Sequence, residues 1–356
     1  MPAIDTLLVT GGAGFIGSNF VRHWLQTQTG KLINLDSLGY AGNLNNLKDL
    51  SDNPRYSFIH ADMGDREKVK ALLLKEEPQN IIHFAAETHV DRSIHTPAAF
   101  VETNVVAAHA FLEEVFNYWN RLNGDDKKSF RFLNVSTDEV FGSLENDQAP
   151  TTEEGPYLPN SPYSASKAAF DHFVRAYYKT FGLPTLTTYC SNNFGPYQFP
   201  EKLIPLIVVQ ALQGKPLPIY GDGRQRRNWL YVEDHCKALV KVLGEAAPGS
   251  RYNIGSDDEM DNLTLVNKVC AVLDELLPTS PNRPYKQLIQ HVADRPGHDR
   301  KYALDSSKIK KELGWNPSAN FEENLRATVL WYLKNFAWVE NVISGDYRHW
   351  MATQYE

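Results

Sequence analysis

The sequence has little cysteine, no long apolar run and no long basic run. The three cysteines among its 356 residues, Cys190, Cys236 and Cys270, are too scattered to form a zinc site or a disulfide framework. No stretch approaches the roughly 18 consecutive apolar residues that a membrane-spanning helix needs. A net charge of -7 without a basic cluster also argues against nucleic acid as a partner. We therefore expect no metal site, no membrane span and no nucleic-acid partner.

The sequence also shows no internal repeats and no low-complexity tracts. Its first apolar segment starts so close to the N-terminus that we expect no signal peptide. Together with the unpaired cysteines, this predicts a protein of the reducing cytoplasm. The length exceeds that of a usual single domain, so we expect one large domain or two joined domains.

A glycine-rich stretch near the N-terminus is the strongest motif that the sequence does contain. An apolar run leads into Gly11, Gly14 and Gly17, and an amphipathic segment over 18–28 follows. Glycine at these positions permits a sharp turn, close approach of a pyrophosphate and tight packing of helix on strand. The next strand ends in Asp36, where a ribose hydroxyl would be bound and a 2′-phosphate repelled. The motif predicts an NAD site, although Asp36 could instead cap a turn.

Apolar strands alternate with amphipathic helices over the first half of the chain. This alternation predicts an α/β fold with a Rossmann-type doubly wound parallel sheet, in which ligands bind at the carboxyl ends of the strands. The second half is less regular and predicts a smaller C-terminal substrate-binding α/β lobe. We assign 1–194, with 229–256 returning to it, to the NAD-binding Rossmann domain, and 195–228 and 257–356 mainly to the second lobe.

The individual elements are predicted from periodicity and from helix-starting residues such as Asp65. Beyond the first apolar run, predicted strands cover 31–36, 56–60, 80–86, 130–136 and 183–189. Predicted helices cover 18–28, 66–75, 97–120, 161–181, 232–245, 263–277, 306–313 and 321–336. The stretch 121–128 is expected to be a surface loop, and no element is assigned within 191–228, which is rich in proline, glycine, asparagine and arginine.

Tyr163 and Lys167 form the second motif. Residues four apart lie on one face of a helix, one turn from each other. A tyrosine is a poor base because its unperturbed pKa is about 10, but a neighbouring ammonium favours the phenolate and lowers that pKa. The pair therefore predicts removal of a hydroxyl proton while a nicotinamide accepts a hydride. The alternative is a surface helix with an ordinary tyrosine and lysine.

Thr137, Asp138 and Glu139 form the third motif, directly after the predicted strand 130–136. Two adjacent acids at the end of a buried strand suit a general acid and a general base. Neighbouring carboxylates raise each other's pKa, so that one can remain protonated while the other is ionised. A solvated loop in which an acid caps a turn is the alternative.

The glycine stretch together with Tyr163 and Lys167 resembles the extended short-chain dehydrogenase/reductase superfamily. Within it, the chain closely resembles the dTDP-glucose 4,6-dehydratase family over essentially its whole length. Related epimerases and decarboxylases lack the paired acids in this form. The segments that carry the closer resemblance are 85–93 (AAETHVDRS), 137–139 (TDE), 190–196 (CSNNFGP) and 294–299 (DRPGHD).

The resemblance implies a role for each residue of the second and third motifs. Tyr163, assisted by Lys167, would deprotonate the glucose 4-hydroxyl while NAD⁺ takes the C4 hydride, and Thr137 would bond the same oxygen. Glu139 would remove the C5 proton, and Asp138 would protonate the departing C6 hydroxyl. Return of the hydride to C6 would give a 4-keto-6-deoxy sugar nucleotide and regenerate NAD⁺.

The resemblance also implies two sets of binding residues. Those for NAD are Gly11, Gly14, Phe15, Ile16, Gly17, Asp36, Asp62, Met63, Ala85, Ala86, Thr103, Tyr163, Lys167 and Asn193, and the loop 40–43 could lie over the cofactor. Those for dTDP-glucose are Thr88, Asn192, Lys202, Leu203, Pro218, Tyr220, Arg227, Asn262, Arg295 and His298.

Arg227 and Arg295 suit a diphosphate, because a guanidinium binds phosphate oxygens bidentately. Surface salt bridges are the alternative for both. Charge alone does not indicate which arginine of the run 224–227 points inward, so the choice of Arg227 depends on the motif. His298 could equally be an ordinary loop histidine.

The resemblance further implies a homodimer, since 97–120 and 161–181 are similar to the helix pair that forms a four-helix bundle between subunits in this superfamily. Three departures concern cofactor binding and the Arg227 loop, not the reaction class. Tyr189 replaces a usual arginine, Asn228 replaces a usual acid, and 37–39 reads Ser-Leu-Gly where Lys-Leu-Thr is common.

Three alternatives remain open from the sequence. The same dehydration could act on UDP- or CDP-glucose, because the pattern does not settle which base is bound. A nucleotide-sugar 4-epimerase would lose no water and would not need Glu139. A non-enzymatic NAD-dependent regulator would not need the intact set of Thr137, Asp138, Glu139, Tyr163 and Lys167.

Overall fold

The structure is a computed structural model that describes residues 4–318 and 320–343. Its strands are β1 Thr6–Thr10, β2 Lys31–Asp36, β3 Tyr56–His60, β4 Asn80–His83, β5 Arg131–Thr137, β6 Thr185–Cys190, β7 Asn192–Phe194, β8 Leu217–Tyr220, β9 Arg226–Tyr231, β10 Arg251–Ile254, β11 Glu259–Asp261 and β12 Ile289–Val292. Its α-helices are α1 Phe15–Thr27, α2 Arg66–Glu76, α3 Val90–His95, α4 Pro97–Val101, α5 Ala108–Trp119, α6 Gly124–Ser129, α7 Pro162–Phe181, α8 Leu203–Leu212, α9 Val232–Glu245, α10 Asn262–Leu276, α11 Ser307–Leu313, α12 Phe321–Lys334 and α13 Phe336–Val342.

A seven-stranded parallel sheet forms the centre of the fold, in the order β3-β2-β1-β4-β5-β6-β10. This is the Rossmann order, whose direction reverses between β1 and β4 and so opens a crevice at their carboxyl ends. Alternate strand residues enter opposite apolar layers, as a period of two requires. Leu7 and Val9 pack with α1 and α9, whereas Leu8 packs with α2, α5 and α7. The predicted doubly wound parallel sheet is confirmed.

The second half of the chain adds two small sheets, β11-β9-β7 and β12-β8. A separate apolar core joins them to α8, α10 and α12. β10 rejoins the large sheet beside β6, with Ile254 opposite Cys190. The assignment of these segments to two domains remains a prediction.

The region 191–228, to which no element was assigned from the sequence, is largely regular. It contains β7, α8, β8 and the start of β9. Helix α8 (LIPLIVVQAL) is buried on nearly every side, so it shows none of the apolar–polar alternation by which a surface helix is recognised. Pro205 lies in its first turn, where proline is tolerated.

Several other boundaries also differ from expectation. The helix expected over 97–120 is one helical run in which a π-helical segment, Glu102–Ala107, separates α4 from α5. Most of α6 lies within the expected loop 121–128, and acids in its first turn and lysines in its last complement the helix dipole. The strand expected over 80–86 ends at His83, and α3 begins within the segment 85–93.

Within residues 4–318 and 320–343, no helix has the length and apolar character needed to cross a membrane. In the same described part of the chain, no group of three or more His, Cys, Asp or Glu side chains is arranged to hold a metal ion.

Candidate active site

The glycine stretch forms a tight turn between β1 and α1. Gly11 has a φ of 73°, in the left-handed region, and a Cβ there would lie 2.6 Å from the Ala85 nitrogen. A Cβ on Gly17 would lie 2.2 Å from the Gly11 carbonyl oxygen, so the helix approaches the turn as closely as glycine allows. Gly14 precedes α1 without a side-chain cap, which leaves the first N–H groups of the helix available for a phosphate. The turn therefore fits a pyrophosphate.

Asp36, the last residue of β2, both caps a turn and lines the cavity. Its carboxylate accepts hydrogen bonds from the Ala13 and Leu38 nitrogens, each at 2.8 Å. Burial raises the pKa of Asp36 although these two bonds oppose the shift. A carboxylate has about four lone-pair sites, so two remain for the hydroxyls of a ribose. The two interpretations of Asp36 are compatible.

One cavity runs along the carboxyl ends of the central strands, from the glycine turn to β7. Every residue implied as an NAD contact lines it, from Gly11 and Asp36 to Asn193. Thr137, Asp138 and Glu139 line the same cavity. The fold thus gathers side chains that are more than 150 residues apart in sequence, because the carboxyl ends of parallel strands meet at one edge of the sheet.

The catalytic candidates lie where β5 meets α7. Thr137 ends β5, and its Oγ1 is 3.3 Å from the Glu139 nitrogen, which donates to it, and 3.3 Å from Asp138 Oδ1. Tyr163 and Lys167 are both buried on α7, whose first turn is held by a capping box and a proline. Lys167 Nζ donates to the Val135 carbonyl oxygen at 2.9 Å.

The pKa values of the two adjacent acids, Asp138 and Glu139, are both raised. Burial and, after it, the charge of Glu139 raise the pKa of Asp138 to about 8. The direction of the shift agrees with the expected effect of a neighbouring carboxylate on Asp138, and the role of Asp138 as an acid stays a prediction. Burial also raises the pKa of Glu139, opposed by the positive charges of Arg295, Lys202 and Arg227.

The expected lowering of the Tyr163 pKa is wrong for this structure. Burial raises the pKa of Tyr163 well above 10, and the charge of Glu139 adds to the shift, while a hydrogen bond with Thr137 opposes it. Burial also lowers the pKa of Lys167, which the charge of Asp171 opposes. Helical spacing gives the proximity of Tyr163 and Lys167, but the loss of water around the phenol is the larger effect.

The implied substrate residues fall into two groups. Thr88, Asn192 and Lys202 line the cavity, and Lys202 Nζ donates to the Thr88 carbonyl oxygen at 3.0 Å. The remaining ones, which the structure places outside that lining, are Leu203, Pro218, Tyr220, Arg227, Asn262, Arg295 and His298.

Asp91 links two residues of the second group and was not singled out from the sequence. Tyr220 donates to its Oδ2 at 3.3 Å, and Arg295 Nη1 lies 3.2 Å from its Oδ1. The ring of His298 lies 6.0 Å from that of Tyr220, and its Nδ1 is 2.6 Å from Asp294 Oδ1. The place of Asp91 in the segment 85–93 was the available signal.

The structure identifies the inward-pointing arginine of the run 224–227. Arg224 and Arg226 are exposed, whereas Arg227 is buried. Its guanidinium lies 4.2 Å over the ring of Tyr302 and donates to the Asp299 carbonyl oxygen at 2.9 Å. Its charge acts on both Asp138 and Glu139.

Sequence reasoning also missed the buried acid Glu201. It lines the cavity 3.7 Å from His89 Nε2, and burial raises its pKa to about 7. Its place directly before Lys202 was the only local signal. Tyr40, Ala41 and Gly42 line the cavity as expected, but Asn43 caps the following turn and is not part of the lining.

The structure shows the hydrogen bonds of two residues that depart from the family pattern, Tyr189 and Asn228. The Tyr189 hydroxyl is 2.6 Å from that of Tyr157, which also donates to Asp171. Asn228 Nδ2 donates to the Ser256 carbonyl oxygen at 3.0 Å, next to the buried Trp229.

Comparisons with known proteins agree with this geometry. A family model described as GDP-mannose 4,6 dehydratase matches residues 8–328. The dTDP-glucose 4,6-dehydratase of Shigella flexneri is 53% identical over 358 residues, which covers 98% of this chain and 99% of that protein. A protein of the same name from Xanthomonas campestris pv. campestris (strain B100) is 53% identical over 343 residues, which covers 96% and 97%.

Solved structures agree as well. The dTDP-glucose 4,6-dehydratase of Bacillus anthracis in complex with NAD superimposes with a TM-score of 0.83 at 44% identity, covering 95% of this chain and 99% of that one. The Streptomyces venezuelae enzyme with NAD and TYD bound gives a TM-score of 0.85 at 43% identity, with the same coverage. The UDP-glucose 4-epimerase of Thermotoga maritima gives a TM-score of 0.81 at only 26% identity, covering 93% and 99%. The chain therefore belongs to the NAD-dependent nucleotide-sugar 4,6-dehydratases and, among them, to the dTDP-glucose 4,6-dehydratase family.

Proposed function

We propose that this protein converts dTDP-glucose into dTDP-4-keto-6-deoxy-glucose and water, with NAD as a cofactor that is regenerated in each cycle. The observation that carries the proposal is that one cavity contains Tyr163 and Lys167 together with Thr137, Asp138 and Glu139. A 4-epimerase requires no elimination and hence no such pair of acids. The full-length identity to dTDP-glucose 4,6-dehydratases supports the dTDP-sugar as substrate.

The glycine turn, Asp36 and the strand ends beside them would hold NAD. Bound NAD⁺ supplies the acceptor for the C4 hydride and, as NADH, the donor of that hydride to C6. Tyr163 accepts the proton of the 4-hydroxyl, and Thr137, which also bonds to Tyr163, orients that oxygen. Lys167 supplies a positive charge that favours the phenolate against the burial of the ring.

Elimination of water then uses the two acids in opposite protonation states. Glu139 takes the C5 proton, which the new 4-ketone has made acidic. Asp138, whose pKa of about 8 keeps it mostly protonated at neutral pH, gives its proton to the leaving C6 hydroxyl. Glu139 would then return its proton to C5, which completes the product alongside the hydride that bound NAD would give back to C6.

The proton balance requires one further transfer. After one cycle Tyr163 holds the 4-hydroxyl proton and Asp138 has lost its own. Thr137 Oγ1 lies 3.3 Å from Asp138 Oδ1 and also bonds to Tyr163, so its hydroxyl connects the two. A proton passed through this hydroxyl would reset both groups for the next substrate.

The diphosphate of the substrate would be bound by Arg227 and Arg295. Arg295 is held by Asp91, and Arg227 is held by backbone carbonyl groups. Both guanidinium groups therefore have fixed positions beside the acids, as recognition of a charged group requires.

A homodimer and a cytoplasmic location complete the proposal. Val101 and Val106 on the helical run α4–α5 and Phe173 and Phe181 on α7 are exposed apolar side chains. Burying such residues against a second copy removes apolar surface from water. The three free, buried cysteines suit a reducing compartment.

Incubation with dTDP-glucose, UDP-glucose and CDP-glucose in separate reactions tests the proposal. A 4-keto sugar is detected by its ultraviolet absorbance in alkali, and we expect it from dTDP-glucose. A 4-keto signal from UDP-glucose or CDP-glucose, with none from dTDP-glucose, would identify that nucleotide sugar as the substrate instead. Formation of a C4 epimer without any 4-keto sugar would refute the dehydratase.

A further inference from the structure

Helix α13 contacts the opposite half of the molecule through two side-chain hydrogen bonds. Trp338 Nε1 donates to Asn46 Oδ1 at 2.8 Å, and Asn341 Oδ1 accepts from Asn45 Nδ2 at 2.9 Å. Asn45 and Asn46 belong to the 3₁₀ helix Leu44–Leu50, which follows the strand that ends in Asp36. Residues almost 300 positions apart are thus joined beside the NAD cavity.

Asn46 extends this contact into the glycine turn. Its side chain is 1% exposed, and its Nδ2 donates to the Ala13 carbonyl oxygen at 2.8 Å. The Asn43 nitrogen donates to the same oxygen at 3.1 Å, while the Ala13 nitrogen donates to Asp36. Ala13 lies between the glycines of the turn. These hydrogen bonds hold both its N–H and its carbonyl group.

Trp338 is itself fixed by packing. Its ring lies 5.1 Å from that of Trp331, 5.9 Å from that of Tyr197 and 6.4 Å from that of Tyr332. Tyr332 donates to the carbonyl oxygen of Gln198, a residue that lines the cavity. The same aromatic cluster therefore supports two walls of the NAD site.

We propose that Trp338 and Asn46 are positioning residues that set how long NAD stays bound. Their hydrogen bonds hold the peptide of the turn in the arrangement that a pyrophosphate needs, so that less order has to be gained on binding. This inference rests on the proposed function, in which NAD returns to its oxidised form at each cycle and need not leave.

The test is the rate at which bound NAD exchanges with labelled NAD, measured without any sugar nucleotide. Trp338→Phe keeps an aromatic ring but removes the N–H donor, which leaves the buried Asn46 oxygen without that partner. An unsatisfied buried group of this kind weakens the arrangement enough for about tenfold faster NAD exchange. Trp331→Phe is the matched control, because it changes an indole of the same cluster without touching Asn46, and its exchange should stay within about twofold of the original.

Asn46→Asp supplies an independent variant. It keeps an acceptor for Trp338 but removes the donor to Ala13, so it should also accelerate exchange. Combined with Trp338→Phe, it should add little, since both act through one chain of hydrogen bonds. Thermal melting of each variant establishes that it is folded.

Unchanged exchange in both Trp338→Phe and Asn46→Asp would overturn the inference, and so would equal acceleration by Trp331→Phe, which would show a general packing effect. Failure of the proposed function is distinguishable. If the variants change NAD exchange as expected but the protein forms no 4-keto sugar, the positioning role of Trp338 and Asn46 stands and the dehydratase assignment fails.

Discussion

The raised pKa of Asp138 predicts an alkaline limit to the reaction. With a pKa of about 8, roughly nine in ten Asp138 side chains carry a proton at pH 7 and roughly one in ten at pH 9. Because the protonated form is the general acid, the contribution of Asp138 to the rate of elimination should be nearly constant near pH 7 and fall about tenfold per pH unit above pH 8. The direction of this pH dependence follows from the role of Asp138 as an acid. A base at this position would make the rate rise with pH instead.

Replacement of the acid separates this alkaline fall in rate, the alkaline limb of the pH profile, from the effects of other ionisations. Asp138→Asn cannot donate a proton, so kcat/KM should fall by about 10²- to 10⁴-fold and the limb near pH 8 should vanish. Glu153→Gln is the matched control, since burial also raises the pKa of Glu153, but its carboxylate accepts from the Asn253 nitrogen outside the cavity.

The assay follows the 4-keto product across the pH range, with thermal melting at each pH to exclude unfolding. The limb should persist in Glu153→Gln. A limb near pH 8 that persists unchanged in Asp138→Asn would refute the assignment of Asp138 as the acid. An unaltered rate in that variant would refute it as well.

Three further predictions concern the base, the glycine turn and the dimer. Glu139→Gln should still oxidise C4, seen as transient NADH absorbance, but should not exchange the C5 proton with solvent deuterium; normal exchange would remove its role. Gly17→Ala should lower the melting temperature, since its Cβ would lie 2.2 Å from a carbonyl oxygen, whereas Gly14→Ala, whose nearest contact is 3.4 Å, should fold but contain less NAD. Phe173→Glu should yield monomers in analytical ultracentrifugation, whereas Leu74→Glu, an equally exposed site on α2, should not; a dimer in both would exclude this face.

The first half of the fold was predictable because its strands are buried on both faces. Such strands appear as uninterrupted apolar runs, and the polar residues that follow them must meet at one edge of the sheet. That is why Asp36 and Glu139 could be placed in one cavity from sequence alone. Helix α8 was missed for the opposite reason: a helix that is apolar on nearly every side has no amphipathic period.

Contacts between distant segments were beyond any local pattern. Asp91 accepts from Arg295 and Tyr220, which lie on segments more than 120 residues further along the chain. The bond of Trp338 to Asn46 is of the same kind. Which arginine of the run 224–227 points inward also depended on tertiary packing, since strand alternation alone allows more than one answer.

Burial helps one step of the proposed reaction and hinders the other. It favours the neutral form of both Asp138 and Tyr163. For the acid this is the form that elimination needs, but for the tyrosine it is the form that cannot accept a proton. The first step therefore depends on positive charge brought to the phenol, and Lys167 is the buried cation one helical turn away.

The fold places a carboxylate and a hydrogen-bond acceptor where they favour the charged form of Lys167. Asp171, a further turn along α7, opposes the burial that lowers the lysine pKa. Its carboxylate is held by Ser136 Oγ at 2.6 Å and Asn134 Nδ2 at 2.7 Å, both on β5. Asp171→Asn should thus impair C4 oxidation more than elimination, measured as slower NADH appearance in a single turnover. A variant that slows only the later release of water would show instead that Asp171 acts through β5 on the acids.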